Sequence, residues 1–244
     1  MPLLYICLGL LGLFLLYVLT LVVCALLVDT RREYTSHNPF YRALLDSATV
    51  IGMGIMGIRL HVSGTERLPQ GEKPLFVCNH RSNFDPIVTW YALRKWKIAF
   101  ISKPSNFKIP VFGRLIRRCC FLPIDRENPR NAIRTIQTAA GILSQGDLSV
   151  GVYPEGTRNR QQAEILPFHN GVFKIAQKAQ VPIVVLTISG TEKIHKNYPF
   201  RRSHVYLDIA QCIPVETVCH TKTDILGQQI RATMEKSLEK RENI

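Results

Sequence analysis

The stretch "PLFVCNHRSNFDPIVTWYALRKW", Pro74 to Trp96, sets the pattern for the chain. It opens on a short apolar run, Pro74 to Val77, of the kind that forms a buried strand. A polar segment rich in Asn, Ser and Asp follows, and these residues favour loops. Pro86 then starts an apolar segment that suits a helix, because proline is tolerated in a helix's first turn. The same alternation recurs downstream. "IRLHVSG", "KIAFIS", "CCFLPID", "LSVGVY", "PIVVLTIS" and "HVYLDIAQCI" read as strands. "VFGRLIRR", "PRNAIRTIQTAAGILSQG" and "GVFKIAQKA" read as helices. In the second of these, Ile133, Ile136, Ala140 and Leu143 recur at three- and four-residue steps, and Gly146 is a natural stop. A last helix is expected from about Thr223, with Leu226, Ile230, Met234 and Leu238 on one face. The expectation is an α/β fold, a mixed sheet flanked by helices.

The polar loop carries His80 and Asp85, five positions apart. Five helical steps turn the chain by roughly 500°, so in a regular helix the two side chains point about 140° apart. They meet only if the backbone bends between them, and Ser82 and Asn83 are bend formers. Read alone, Asp85 before a proline is a helix N-cap, and His80 is a loop histidine bonded to a carbonyl. Read together, they are a base and the group that orients it. No GxSxG nucleophile motif is present, which leaves an alcohol on the substrate as the nucleophile.

Other strand ends add charge. "YPEGTRNR" presents Glu155, Gly156, Thr157 and Arg158 from a turn, and an arginine beside a hydroxyl and free amides makes a phosphate clamp. Glu155 is placed to align that arginine; a solvated charged turn is the plainer alternative. Arg126 ends "FLPIDR", and Lys103 follows "KIAFIS". Ligands of open α/β sheets gather at the carboxyl ends of strands, so these groups are expected on one rim with His80. A base among several cations implies an anionic substrate with a free hydroxyl.

The composition agrees. The chain of 244 residues carries a net charge of +13, which points to an anionic partner: nucleic acid, an acidic membrane face or phosphate-bearing substrates. No nucleic-acid motif is found, so nucleic acid is not expected as a partner. Seven cysteines without CxxC or zinc-type spacing read as reduced thiols, and no metal site is expected. Gly52, Gly54 and Gly57 have a GxGxxG spacing, but a strand follows them at once, leaving no helix to hold a pyrophosphate. Met1 to Val28 has no charged side chain and is long enough to cross a bilayer. It lacks the basic start and cleavage site of a signal peptide. Arg31 and Arg32 after it place the remainder on the cytoplasmic side.

"NHRSNFD", "FLPIDR", "YPEGTR" and "VPIVVLTISG", in this order, resemble the four motif blocks of the 1-acylglycerol-3-phosphate acyltransferases, within the wider glycerolipid acyltransferases. The resemblance covers roughly residues 60 to 215. Two positions depart from the family pattern: Ser105 stands where an acidic residue is common, and "CCFLPIDR" lacks the glycine or valine common near its phenylalanine. The resemblance implies transfer of an acyl group from acyl-CoA or acyl carrier protein to the 2-hydroxyl of lysophosphatidate, without a cofactor. It implies His80 as general base and Asp85 as its orienter. Arg126, Glu155, Gly156, Thr157 and Arg158, with Lys103 more weakly, are implied to bind the acceptor phosphate. Another lysophospholipid or glycerol-3-phosphate as acceptor, or a non-catalytic protein binding anionic lipid, is the alternative. The expected organisation is a transmembrane helix over 1–30, an interfacial connector and membrane-associated segment over 31–60, and a cytoplasmic catalytic domain over 61–244. The sequence does not give the oligomeric state.

Overall fold

The computed structural model describes every residue except 126, 160–164 and 243–244. Among the described residues, seven strands form one sheet in the order β1-β7-β6-β2-β5-β3-β4. β2 (Leu75–Cys78) lies at its centre, parallel to β5 (Val150–Val152) on one side and β6 (Ile183–Ser189) on the other. β3 (Ala99–Ser102) and the two-residue β4 (Leu122–Pro123) extend the parallel half. β7 (Ser203–Ile213) runs antiparallel to β6, and β1 (Ile58–Ser63) pairs parallel with β7, which makes the sheet mixed as expected.

Burial follows strand position. All four residues of β2 are buried, as are the first six of β6, because helices cover both faces of the central strands. β7 instead alternates buried and partly exposed residues along its first half. One face packs against α5 (Pro129–Ser144), α6 (Lys174–Ala179), α8 (Val215–His220) and α9 (Thr223–Glu242). Leu226, Ile230 and Met234 of α9 are fully buried there, and each contributes roughly 1.5–3 kcal/mol by leaving water. The other face packs against α2 (Pro39–Ile55), α3 (Asp85–Ala92) and α4 (Phe112–Arg118). In α5, Ala140 and Leu143 are buried, but Ile133 is exposed, so the apolar stripe meets the core only from Ile136 onward.

Two segments differ from expectation. Residues 39–55, within the stretch read as an interfacial connector and membrane-associated segment, form a helix, α2, capped by the Asn38 side chain, which accepts from Tyr41 N–H. Its Arg42 is buried, with the guanidinium 4.4 Å over the Trp90 ring and bonded to the Ile98 carbonyl. Its Leu45 and Met53 belong to the core, whereas Val50, Ile51 and Ile55 are exposed. The second difference is β4, where most of "CCFLPID" is loop. α1 (Pro2–Leu26) is long and apolar enough to cross a membrane, and its apolar side chains are exposed along most of its length. All seven cysteines are free thiols.

Candidate active site

β2, β5, β3 and β4 are mutually parallel, so the segments that leave their carboxyl ends share one rim. His80 leaves β2, the Tyr153–Arg158 turn leaves β5, Lys103 leaves β3, and Asp125 follows β4. Arg126 lies outside the described residues. β2 and β5 are neighbours, which sets the His80 loop beside the turn.

Asp85 is not an N-cap. It is the first residue of α3, and its fully buried carboxylate reaches back over the bend formed by the preceding loop. Oδ2 accepts from His80 Nδ1 at 2.8 Å, from Arg81 N–H at 2.6 Å and from Ser82 N–H at 2.7 Å. Oδ1 accepts from the Thr191 hydroxyl. The bend that a regular helix forbids is thus held by the carboxylate itself. A carboxylate offers only acceptors, so Nδ1 carries its proton toward Asp85, and Nε2 keeps its lone pair. Among the described residues Nε2 has no protein partner, and the ring is 17% exposed. The Tyr153 ring lies 4.5 Å from the His80 ring, centroid to centroid, and fixes its tilt.

Glu155 is buried, and its oxygens face backbone amides: Oε1 accepts from His80 N–H at 2.6 Å and Oε2 from Leu166 N–H at 3.1 Å. The expectation that it aligns Arg158 or meets a phosphate does not describe this geometry, since the carboxylate is committed to tying the His80 loop to its own turn. Burial pushes its carboxyl above the ordinary range, partly offset by those two N–H donors and the nearby His80 and Arg81. Burial also raises the Tyr153 hydroxyl and the Cys78 thiol well above their usual values, so both stay neutral. Gly156 makes the turn possible: its φ is 72°, and its N–H closes on the Tyr153 carbonyl. Thr157 is exposed and Arg158 half-buried, on the solvent side of that turn. Lys103 is exposed at the end of β3, two strands from β2.

Three further residues belong to the site. Asn79 docks its side-chain amide on β6, donating to the Ile188 carbonyl and accepting from its N–H, which prolongs the β2–β6 ladder by one rung. Thr191 and Tyr153 complete the surroundings of the pair. Asn79 and Tyr153 flank the motifs and were visible in them; Thr191 lies 106 residues from Asp85, and no spacing rule reaches it. Beside Tyr153, Pro154 and Gly156 opens a cavity of about 380 Å³ walled by Ile101, Ile124, Ile136, Val152 and Val172. Such a volume falls within the range of ligand pockets. The arrangement offers a base with a free lone pair, an apolar slot, and cations on the same rim.

A model of the acyltransferase family matches residues 59–189. Curated relatives include a chloroplastic 1-acyl-sn-glycerol-3-phosphate acyltransferase of Brassica napus, 37% identical over 54% of this chain and 38% of its own. Proteins of the same name from Haemophilus influenzae and Limnanthes douglasii are 35% and 29% identical, covering 54% and 67% of this chain. The chain spans 38% to 57% of the length of these three relatives. The crystal structure of the 1-acyl-sn-glycerophosphate acyltransferase PlsC from Thermotoga maritima superposes with a TM-score of 0.70 at 21% identity, over 93% of this chain and 89% of that one, and thereby shares its fold. With a match that runs from β1 to the end of β6, more than half of its length, the chain belongs to the acyltransferase family.

Proposed function

We propose that this chain transfers a fatty acyl group from a thioester to the 2-hydroxyl of 1-acylglycerol-3-phosphate, giving phosphatidate. The observation that carries this reading is the His80–Asp85 pair, in which Nδ1 is held by the carboxylate and Nε2 is left for the acceptor hydroxyl, while an apolar cavity opens along the Tyr153–Gly156 turn that packs on the His80 ring. Nε2 takes the proton of the acceptor hydroxyl as its oxygen attacks the thioester carbonyl. The carboxylate of Asp85 balances the imidazolium that forms. The tetrahedral species then collapses: the C–S bond breaks, the C–O ester stays, and the thiolate takes the proton back from Nε2. General base catalysis supplies on the order of 10²–10⁴-fold, and holding the two reactants together supplies much of the rest. A thioester is already activated, so the reaction needs no cofactor from the protein.

Arg158 and Thr157, with Lys103 and Arg126 from neighbouring strand ends, bind the acceptor phosphate. Glu155 and Gly156 position the turn and do not touch it. The apolar cavity receives an acyl chain. α1 anchors the domain at a bilayer with the domain on the cytoplasmic side, so that the lipid acceptor reaches the site within the membrane plane.

The test supplies labelled acyl-CoA or acyl-acyl carrier protein with lysophosphatidate, other lysophospholipids or glycerol-3-phosphate, and identifies the lipid formed. Labelled phosphatidate from lysophosphatidate is the expected product. Formation of another ester in preference to it sinks the acceptor assignment. Lipid binding that persists with no ester formed from any acceptor sinks the catalytic one.

A further inference from the structure

A charged concavity outside the catalytic rim encloses about 690 Å³ between the C-terminal turns of α9 and one face of β1, β7 and β6. The strands turn Ser63, Tyr206, Asp208, Thr187 and Ser189 toward it, whereas the alternate residues Leu207, Leu186 and Ile188 are core on the opposite face. Four cations line it, Arg67, Lys236, Lys240 and Arg241, against two acids. Both acids are engaged: Asp208 accepts from the hydroxyls of Ser63 and Ser237, and Glu66 lies 3.6 Å from Arg67 Nε.

The cations are assembled rather than scattered. Lys236 and Lys240 stand one helical turn apart on the groove side of α9 and are exposed, while Glu235 is drawn to Arg231. The Arg241 guanidinium lies 3.8 Å over the Tyr206 ring, which in turn stacks on His61 at 4.7 Å. Complementing a helix C-terminus accounts for Lys240 and Arg241. It does not account for Lys236; Arg67, from the segment after β1, is held at the groove's edge by Nη1 bonds to the Ile209 and Ala210 carbonyls.

The groove lies on the α9 side of the sheet, and α2 and α4 pack on the other. α1 contacts α4 through the Arg114 bond to the Leu26 carbonyl. The groove therefore opens away from the apolar helix, toward a water-borne anion rather than a bilayer headgroup. Its β6 wall also runs toward the catalytic rim. Ser189 ends β6, and two residues later Thr191 bonds Asp85. β6 neighbours β2, the strand leading to His80, at the ordinary spacing of about 4.8 Å.

We propose that this groove holds the phosphate-bearing nucleotide end of a coenzyme A thioester, whose flexible arm runs over the end of β6 to bring the acyl carbonyl to His80. This rests on the acyl-transfer reading above and names its donor. The shared chemistry is a phosphate anion, and the experiment separates its sources. Adenosine 3′,5′-bisphosphate is titrated into the full chain in neutral detergent micelles, with and without phosphatidate, and binding is read by calorimetry without turnover. Saturable nucleotide binding is expected, weakened about tenfold or more in a Lys236→Glu, Lys240→Glu variant whose melting curve shows that it folds. In assays the same variant raises KM for acyl-CoA by a similar factor and leaves KM for lysophosphatidate in place. Absence of nucleotide binding, or equal affinity in the variant, overturns the proposal. So does displacement of the nucleotide by phosphatidate at this site, which would make the groove a headgroup site. A chain that binds nucleotide through these lysines yet acylates no lysophosphatidate supports the groove and overturns only the acceptor assignment.

Discussion

The rim at β2 and β5 and the groove under α9 treat charge in opposite ways. At the rim, Asp85 and Glu155 are buried and every carboxylate oxygen has a donor: four hydrogen bonds on Asp85 and two on Glu155. In the groove, Lys236 and Lys240 extend into water on long flexible stems. Moving a proton requires a base held within a fraction of an ångström, and buried, fully bonded carboxylates supply that rigidity. Holding phosphates requires only positive potential, which exposed cations supply at the cost of screening by salt. The comparison separates a rigid reacting centre from an adaptable binding surface, and each substitution below probes one side of it.

The largest effect is expected at the base. His80→Ala should lower turnover by about 10³-fold or more, with lipid binding and melting temperature near normal. A near-normal rate removes the assigned base. Asp85→Asn follows at roughly 10²-fold or more, because an amide that keeps its oxygen on the three hydrogens at Oδ2 turns an NH₂ toward the Thr191 hydroxyl and has no charge to balance an imidazolium. It should also lower the melting temperature, since donors left unpaired in a buried site cost about 1–3 kcal/mol. A variant that melts early yet turns over normally would mean that Asp85 is only structural.

Glu155→Gln should cost about tenfold in kcat, with KM for either substrate little changed, as fits a residue that positions the His80 loop. Its pH dependence has a definite sign. The folded-state carboxyl is held above its ordinary value by burial. Its contribution to stability is therefore full below the unfolded value and is lost as pH rises through the raised one. On mild acidification the stability term from Glu155 should improve while activity falls, because protonation removes an acceptor from the loop tie. Comparing the pH profiles of melting and turnover in wild type and in Glu155→Gln checks this, and parallel profiles in the two proteins refute it. Thr191→Val should cost only a few-fold, with recovery in Thr191→Ser, because Oδ1 of Asp85 loses one of four bonds on the carboxylate. The smallest effect is ionic: raising salt from about 0.05 to about 0.5 M should raise KM for acyl-CoA several-fold and leave kcat in place, since exposed cations are screened and the buried pair is not. Equal salt sensitivity of kcat breaks the contrast between the two regions.

Much of this was legible beforehand. The strand, loop and helix around His80 were readable from apolar runs, turn formers and Pro86, and the motif order carried the family. Two carboxylates are bonded differently from their plainest local reading. Asp85 has the sequence context of an N-cap, but its side chain turns back to Arg81, Ser82 and His80 instead of forward into α3. Glu155 beside Arg158 looks like half of an ion pair, but the β2–β5 pairing puts the His80 amide nearer. Both cases concern which of several donors a carboxylate meets, and that depends on the bend of the loop and on strand order. α2 was not read as a helix because its apolar residues satisfy both a membrane reading and a core reading; the structure puts one face of it on Trp90 and Ile98 and leaves Val50, Ile51 and Ile55 exposed.

The sequence by itself determined the alternation of strands and helices, the apolar helix at the start, and the residue types of a base and its orienter, because these follow from local periodicity and short-range motifs. The tertiary structure alone decided that Thr191 meets Asp85, that Glu155 serves the His80 loop, and that Arg67 joins the cations of α9. Such contacts join residues tens to more than a hundred positions apart, and only the lateral order of the strands in the sheet brings them within hydrogen-bonding or electrostatic reach.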